Sequence, residues 1–154
     1  MIAGTKSVIA FCLLLFPFNG FSQTEKLSGT YSYGKSGEAA YGYLALYSKN
    51  DSILFFYIEN GRGAPSYNSG SLDGVLQVKN DSGVFISNDT DWILHFHFLK
   101  NGVKIVSKEY KSGNGYGYGV DPDGEYTRIS NKKPAYFINR EGDTMYFNKY
   151  NQAR

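Results

Sequence analysis

The feature that most constrains this chain is an alternation with a period of two, cut at short intervals by Asn, Asp and Gly. Tyr41, Tyr43, Ala45 and Tyr47 alternate with Gly42, Leu44 and Leu46, and Leu54, Phe56 and Ile58 alternate with Ile53, Phe55 and Tyr57. Successive side chains of a strand point to opposite faces, so each set lines one side of a sheet. The second strand is apolar on both faces, which predicts burial on both. Leu72, Leu76 and Val78 alternate with Asp73, Gln77 and Lys79 in a half-buried pattern, and Trp92, Leu94, Phe96 and Phe98 form another apolar face. The interruptions are Asn50-Asp51, Asn80-Asp81, Asn88-Asp89 and Asn101-Gly102. These residue types tolerate the positive φ that two-residue hairpin turns require.

The predicted strands are 27–34, 39–48, 52–59, 70–79, 82–87, 91–99, 102–110 and 123–129, with a final hairpin near 135–139 and 143–149. No helical stripe of adequate length competes with them. Short strands joined by tight turns predict an all-β fold, an antiparallel meander closed into a small barrel of about eight strands with a C-terminal hairpin. A two-sheet sandwich is the alternative. Gly29-Thr30-Tyr31 and Gly124-Glu125-Tyr126 share a Gly-x-Tyr pattern. Pairing of their strands is expected to close the sheet and remove its exposed edges. The 14 Tyr, 11 Phe and 18 Gly suit this reading, since aromatic residues favour strands and glycines favour turns.

Ahead of the first strand lies a segment of another kind. Lys6 precedes the apolar run Val8–Phe16, a breaker follows at Pro17, Asn19 and Gly20, and small residues stand at Gly20 and Ser22. The run is shorter than the roughly 20 residues of a membrane-spanning helix. It has the layout of a signal peptide covering 1–22, which predicts export to a periplasmic or extracellular location and Gln23 as the mature N-terminus. Residues 23–154 are then expected to form a single domain, since about 130 residues is an ordinary domain size. The only cysteine, Cys12, lies in the signal, so no disulfide or thiolate ligand is expected in the mature form. Losing Lys6 lowers the formal charge from +2 to +1. A nearly neutral domain without a basic run gives no electrostatic case for nucleic acid or for a membrane surface after cleavage.

Two connections are too long for simple hairpin turns, 60–70 and 112–124, and long connections in small domains are often binding loops. Tyr67 lies in the first, and Tyr116 and Tyr118 stand among glycines in the second. Tyrosine offers large contact area, a polar tip and few torsions to freeze. Arg62, flanked by glycines, is a candidate charged anchor. Arg62, Tyr67, Tyr116 and Tyr118 are therefore the predicted ligand- or partner-binding residues; the alternative is that the glycines permit twist and bulges while the tyrosines cap the barrel end. Both loop tyrosines of 112–124 are expected to face solvent, so that replacing the pair with Ala should barely change the melting temperature. The glycines at 113, 115, 117 and 119 form no phosphate loop, because no Lys-Ser/Thr and no helix follow.

No catalytic residue is read from the chain, and no cofactor is expected. His95 and His97 are the only histidines, and their i, i+2 spacing aims both rings to one side of a strand, as a two-point metal clip requires. A third ligand would have to be a carboxylate such as Asp91 or Glu109. Asp121-Pro122-Asp123-Gly124-Glu125 lacks the twelve-residue ligand spacing of a calcium loop and reads as turn chemistry. Asn50, Asn80 and Asn88 each begin an N-glycosylation pattern, and the turn reading accounts for all three.

An early Gly29-to-Tyr31 motif, Ser69-Gly70-Ser71-Leu72-Asp73-Gly74-Val75-Leu76, the aromatic strand Trp92–Phe98 and the closing Gly117-Tyr118-Gly119-Val120…Asp123-Gly124-Glu125-Tyr126 follow one another. In this layout the chain resembles small exported bacterial β-barrels of the lysozyme-inhibitor-like kind. The resemblance implies a barrel that binds an envelope protein or glycan, but it assigns no inhibitory residue. Members of that group often carry cysteines bracketing the aromatic strand and closing loop, and this chain does not. The favoured expectation is an exported, non-enzymatic binding module, an inhibitor or binder of an envelope protein or glycan, acting through the 60–70 and 112–124 loops. A lipocalin-like carrier of a small apolar ligand is the alternative, and a metal-dependent hydrolase using His95 and His97 comes third. The inward faces separate the first two: bulky side chains fill a barrel, whereas small ones leave a cavity.

Overall fold

In a computed structural model, which describes residues 22–37, 39–87, 92–108 and 116–150, the alternating runs become the staves of a closed barrel. They are β1 (Gly29–Tyr33), β2 (Tyr41–Ser48), β3 (Ile53–Gly61), β4 (Ser69–Lys79), β5 (Ser82–Ile86), β6 (Ile93–Leu99), β7 (Gly102–Lys108) and β8 (Gly124–Ser130). Each pairs antiparallel with the next in chain order, and β8 returns to β1 through Thr30↔Ser130, Tyr31↔Arg128 and Ser32↔Thr127. The two Gly-x-Tyr strands thus close the sheet, and Tyr31 and Tyr126 are both fully buried. The sandwich alternative gives way to the barrel. The segment read as a signal lies outside the described residues except for Ser22. Among the described residues no helix is long and apolar enough to cross a membrane.

Alternation decides what fills the barrel. Leu44 and Leu46 from β2, Leu54, Phe56 and Ile58 from β3, and Leu94 and Phe96 from β6 all point inward and are fully buried. Phe56 meets Phe85 of β5 edge-on at 4.9 Å between centroids and Phe96 of β6 at 5.2 Å. Strands β3 and β6 are not neighbours in the wall, so these rings touch across the lumen. An eight-stranded barrel is just wide enough for its own side chains or one small ligand. Here side chains occupy it, each fully buried Leu or Phe contributing about 1.5–3 kcal/mol of transfer free energy.

The other face of β3 is covered as well. A hairpin of β9 (Tyr136–Ile138) and β10 (Thr144–Tyr146), followed by a 3-10 turn at Phe147–Lys149, lies on the outer surface of the barrel. Phe137 stacks on Tyr57 at 4.4 Å and Phe147 on Tyr47 at 5.4 Å, with Ala45 and Phe55 buried in the same cluster. This second core is why the β3 sequence is apolar at every position from Ile53 to Ile58.

One end of the barrel is closed by α1 (Gln23–Leu27), a single turn that the sequence reading partly assigned to a strand beginning at residue 27. Five residues are too few for a helical stripe to register. Thr24 is fully buried, with its Oγ1 2.8 Å from Ser48 Oγ, and the Tyr31 hydroxyl donates to the Leu27 carbonyl at 2.6 Å. The Arg128 guanidinium lies 4.9 Å above the Tyr31 ring and donates to the Lys26 carbonyl at 2.8 Å. The short turns are at this end too. Asn50 Oδ1 accepts the amides of Ser52 and Ile53 at 3.1 and 3.0 Å, and Asn80 adopts φ 55°. Asn101-Gly102 departs from expectation, since neither residue has positive φ. Leu99 pairs with Gly102, and a Cβ on Gly102 would stand 2.6 Å from the Tyr126 carbonyl oxygen. That glycine serves a close strand approach.

Candidate functional site at the loop end of the barrel

The opposite end gathers the longer connections, and the two singled out from sequence meet there. Gly117 donates its amide to the Ser69 carbonyl at 3.0 Å, and Tyr116 forms an antiparallel bridge with Gly70. Asn68 Nδ2 donates to the Tyr118 carbonyl at 2.8 Å. Arg62 reaches over both, donating from Nη1 to the Gly119 carbonyl at 3.2 Å and from Nε to the Ala39 carbonyl at 3.4 Å. Arg62 therefore ties three loops together. Besides being the candidate charged anchor, it is a clip that positions these loops.

Backbone geometry sets the exposed rings. In 62–68 the Arg62 amide bonds the Asn68 carbonyl at 2.9 Å and the Tyr67 amide bonds the Gly63 carbonyl at 3.1 Å. The fold leaves Tyr67 at φ 49°, a left-handed conformation that costs an ordinary L-residue roughly 1–2 kcal/mol, with its ring 72% exposed. In the second loop the Val120 amide closes a turn onto the Gly117 carbonyl at 3.0 Å, with Gly119 at φ 71°. A glycine at the third position of such a turn permits that φ. Tyr118 occupies the second position and stands 92% exposed. Beside these rings is a shallow open recess of about 420 Å³, lined by Tyr67, Asn68, Ser69, Tyr116, Gly117 and Arg140.

Tyr116 takes the capping alternative and not the solvent-facing one. Its ring is only 7% exposed, packed over Gly70 and 5.5 Å from Trp92 in an edge contact. Its hydroxyl donates to Asn60 Oδ1 at 3.2 Å. Asn60, 1% exposed, donates from Nδ2 to the Tyr126 hydroxyl at 2.7 Å and the Tyr33 hydroxyl at 3.2 Å, and the Tyr126 hydroxyl donates in turn to the Pro122 carbonyl at 3.0 Å. This polar knot seals the lumen from the loop end. Burial raises the Tyr116 and Tyr126 phenols well above the usual value, so both remain neutral donors. Asn60 escaped the sequence reading. Its signal was present, since it continues the inward series Leu54, Phe56, Ile58 as the first polar member.

The remaining candidates stand apart. His95 and His97 lie on the outer face of β6, half-buried and exposed, because Leu94, Phe96 and Phe98 take the inward positions. Val84 and Val106 flank His95, and Ser82 and Lys104 flank His97. The third ligands considered, Asp91 and Glu109, lie outside the described residues. Among the described residues no group of three His, Cys, Asp or Glu is placed to hold a metal. The carboxylates of the Asp121–Gly124 turn serve the backbone: Asp121 accepts the Asp123 amide at 3.1 Å, and Asp123 accepts the Ser107 amide at 2.7 Å.

Asp121 gives the loop end a pH signature. Burial, and next the nearby charge of Asp123, push its carboxyl pKa up, against smaller opposing pulls from the Asp123 amide it accepts and then from Arg62. A carboxyl that holds its proton more tightly when folded favours the native state below its unfolded pKa. That advantage is lost as pH rises through the folded value. Asp121→Asn keeps the oxygen that accepts the Asp123 amide and removes the charge. The expected result is a higher melting temperature than wild type at pH 7, with the difference vanishing below about pH 4. Thermal melts across that range check it.

Compared with protein-family models, curated proteins and solved structures, the chain matches none.

Proposed function

We propose that this protein is an exported, non-enzymatic binding module whose loop end docks on a protein or glycan of the cell envelope. One observation carries the reading: Tyr67 and Tyr118 stand 72% and 92% exposed on two loops that are hydrogen-bonded to each other. Large rings held outward on braced loops lose little freedom when a partner covers them. Tyr67 adds weight, because a left-handed backbone under an exposed ring is strain that folding alone does not require. Arg62 contributes by holding both loops in register. Export rests on the segment 1–22, and the resemblance to lysozyme-inhibitor-like barrels points to the same compartment. The carrier reading draws no support from a lumen crossed by Phe56, Phe85 and Phe96.

The test is retention of envelope components by the mature domain, wild type beside Tyr67→Asn and Tyr118→Ala. Asn tolerates the left-handed region, so Tyr67→Asn is expected to leave stability unchanged or raise it by up to about 1 kcal/mol. Binding should fall at least ten-fold in each variant. Retained binding in both would move the partner site elsewhere on the molecule.

A further inference from the structure

A second recess opens on the outside of the same barrel end, with a volume of about 310 Å³. It is built by the outward side chains of three adjacent strands. Register places Tyr41 opposite Gly61 and Tyr43 opposite Glu59, with Ser32 of β1 opposite Tyr43 on the other side. Gly61 lets the Tyr41 ring lie across the sheet, since a Cβ there would stand 2.4 Å from Tyr41 Cζ. Ser36 lies at the rim, and Tyr33, which also borders the recess, turns its ring inward against Tyr126 and Asn60.

Among the described residues Glu59 is the one charged group lining this recess. It is half-buried, and it accepts one hydrogen bond, from the Tyr57 hydroxyl at a long 3.3 Å. A carboxylate has about four acceptor positions, so most of its capacity is unused by the protein. Among the described residues no lysine or arginine forms an ion pair with it; the ion pair found there joins Lys133 to Glu25. Its field is felt by the surrounding rings. The Tyr57 phenol is pushed up to about 12, chiefly by burial and next by Glu59, and Tyr43 is raised by the same two causes in the same order.

A partly desolvated carboxylate without a counter-charge gains most from a cation. A hard divalent ion asks for six or more oxygen ligands and would find one carboxylate and two serine hydroxyls. An organic ammonium asks for less: one anion, and aromatic faces to receive the positive charge spread over its carbon or hydrogen shell. Tyr41 and Tyr43 flank the space in which such a group would approach Glu59. We propose that this recess is a binding site for an organic ammonium group, held by the Glu59 carboxylate and the faces of Tyr41 and Tyr43. Two sources present that chemistry, a quaternary headgroup of the choline type and the primary amine of a lysine side chain or amino sugar.

Nuclear magnetic resonance titration of the domain with choline, n-butylammonium and 3,3-dimethyl-1-butanol, the neutral isostere of choline, separates the possibilities. Either cation is expected to give saturable shifts at Glu59 and Tyr43, and the tighter of the two identifies the source. The neutral alcohol should bind at least ten-fold more weakly. Glu59→Gln keeps an acceptor for Tyr57 and should lose cation binding at least ten-fold while retaining the wild-type spectrum elsewhere. Added salt should weaken the cation titration of the wild-type domain and leave the alcohol unaffected, a readout that does not depend on any variant folding. Equal response to cation and alcohol, no saturable shift with either cation, or unchanged affinity in Glu59→Gln would each overturn the proposal.

Discussion

Tyr116→Ala is expected to lower the unfolding free energy by about 3–4 kcal/mol, whereas Tyr118→Ala, two residues away, should change it by less than about 0.5 kcal/mol. The first substitution removes a ring that packs on Gly70 and Trp92 and deletes the donor to Asn60 Oδ1. It leaves both a cavity and an underused polar group at 1% exposure. The second removes a ring standing in water. In a domain of this size the first loss amounts to a fall in melting temperature of roughly 10 °C. Urea titration of the two single variants measures both. A wild-type midpoint for Tyr116→Ala would mean that the 116–120 segment does not seal the barrel, and the polar knot around Asn60 would have to be assembled differently.

The same pair shows where sequence reasoning reached its limit. Tyr116 and Tyr118 have the same parity, so an extended segment would send both rings to one side. The chain reverses between them. Gly117-Tyr118-Gly119-Val120 is a closed turn, with Gly119 at φ 71° and Val120 buried beyond it. A tyrosine followed by glycine and then an apolar residue is a legible turn signal. What no local pattern contains is the partner: Gly70, more than forty positions earlier, supplies the flat surface that Tyr116 covers. Glycines at 42 and 124 act likewise, since a Cβ on either would stand 2.4 or 2.6 Å from the Tyr33 ring.

The architecture was more legible than the site because it follows from pattern alone. Each barrel strand coincides with a predicted run to within a few residues, since Asn, Asp and Gly interrupt the chain where hairpins turn. Closure was legible through Gly29 and Tyr31, which match Gly124 and Tyr126. The double-sided apolarity of β3 was read as burial on both faces, and the cover turned out to be Phe137 and Phe147 of the C-terminal hairpin. Glu59 and Asn60, adjacent in sequence, illustrate the rest. One faces out among tyrosines and the other in among them, and only the barrel's curvature brings Tyr33, Tyr116 and Tyr126 around the second. Side-chain parity gives the face. It does not give the neighbours across the lumen.

Those neighbours make the filling of the barrel testable at one position. Gly74 belongs to the inward row of β4 between Leu72 and Leu76, and it is the row's missing side chain. An added Cβ there would stand 2.4 Å from Phe85 Cε2 and 2.9 Å from Phe56 Cε1, far inside the 3.5–4.0 Å of a favourable carbon contact. Its backbone is not in the left-handed region, so a β-branched residue meets no conformational objection. Valine is also the better strand former by up to about 1 kcal/mol. Two outcomes of opposite sign follow. In a filled lumen, Gly74→Val is expected to destabilise by about 3 kcal/mol, at the upper end for overpacking. Much of that loss should be recovered when Phe85 is cut back: the Gly74→Val/Phe85→Ala double variant should be at least about 1 kcal/mol more stable than the sum of the single changes. In a barrel with room to hold an apolar ligand, Phe85 would swing aside and the valine would stabilise the strand. Denaturation of the three variants decides between them. A stabilised Gly74→Val with no coupling to Phe85 would return the carrier reading to first place, because the space that a ligand needs would have been shown to exist.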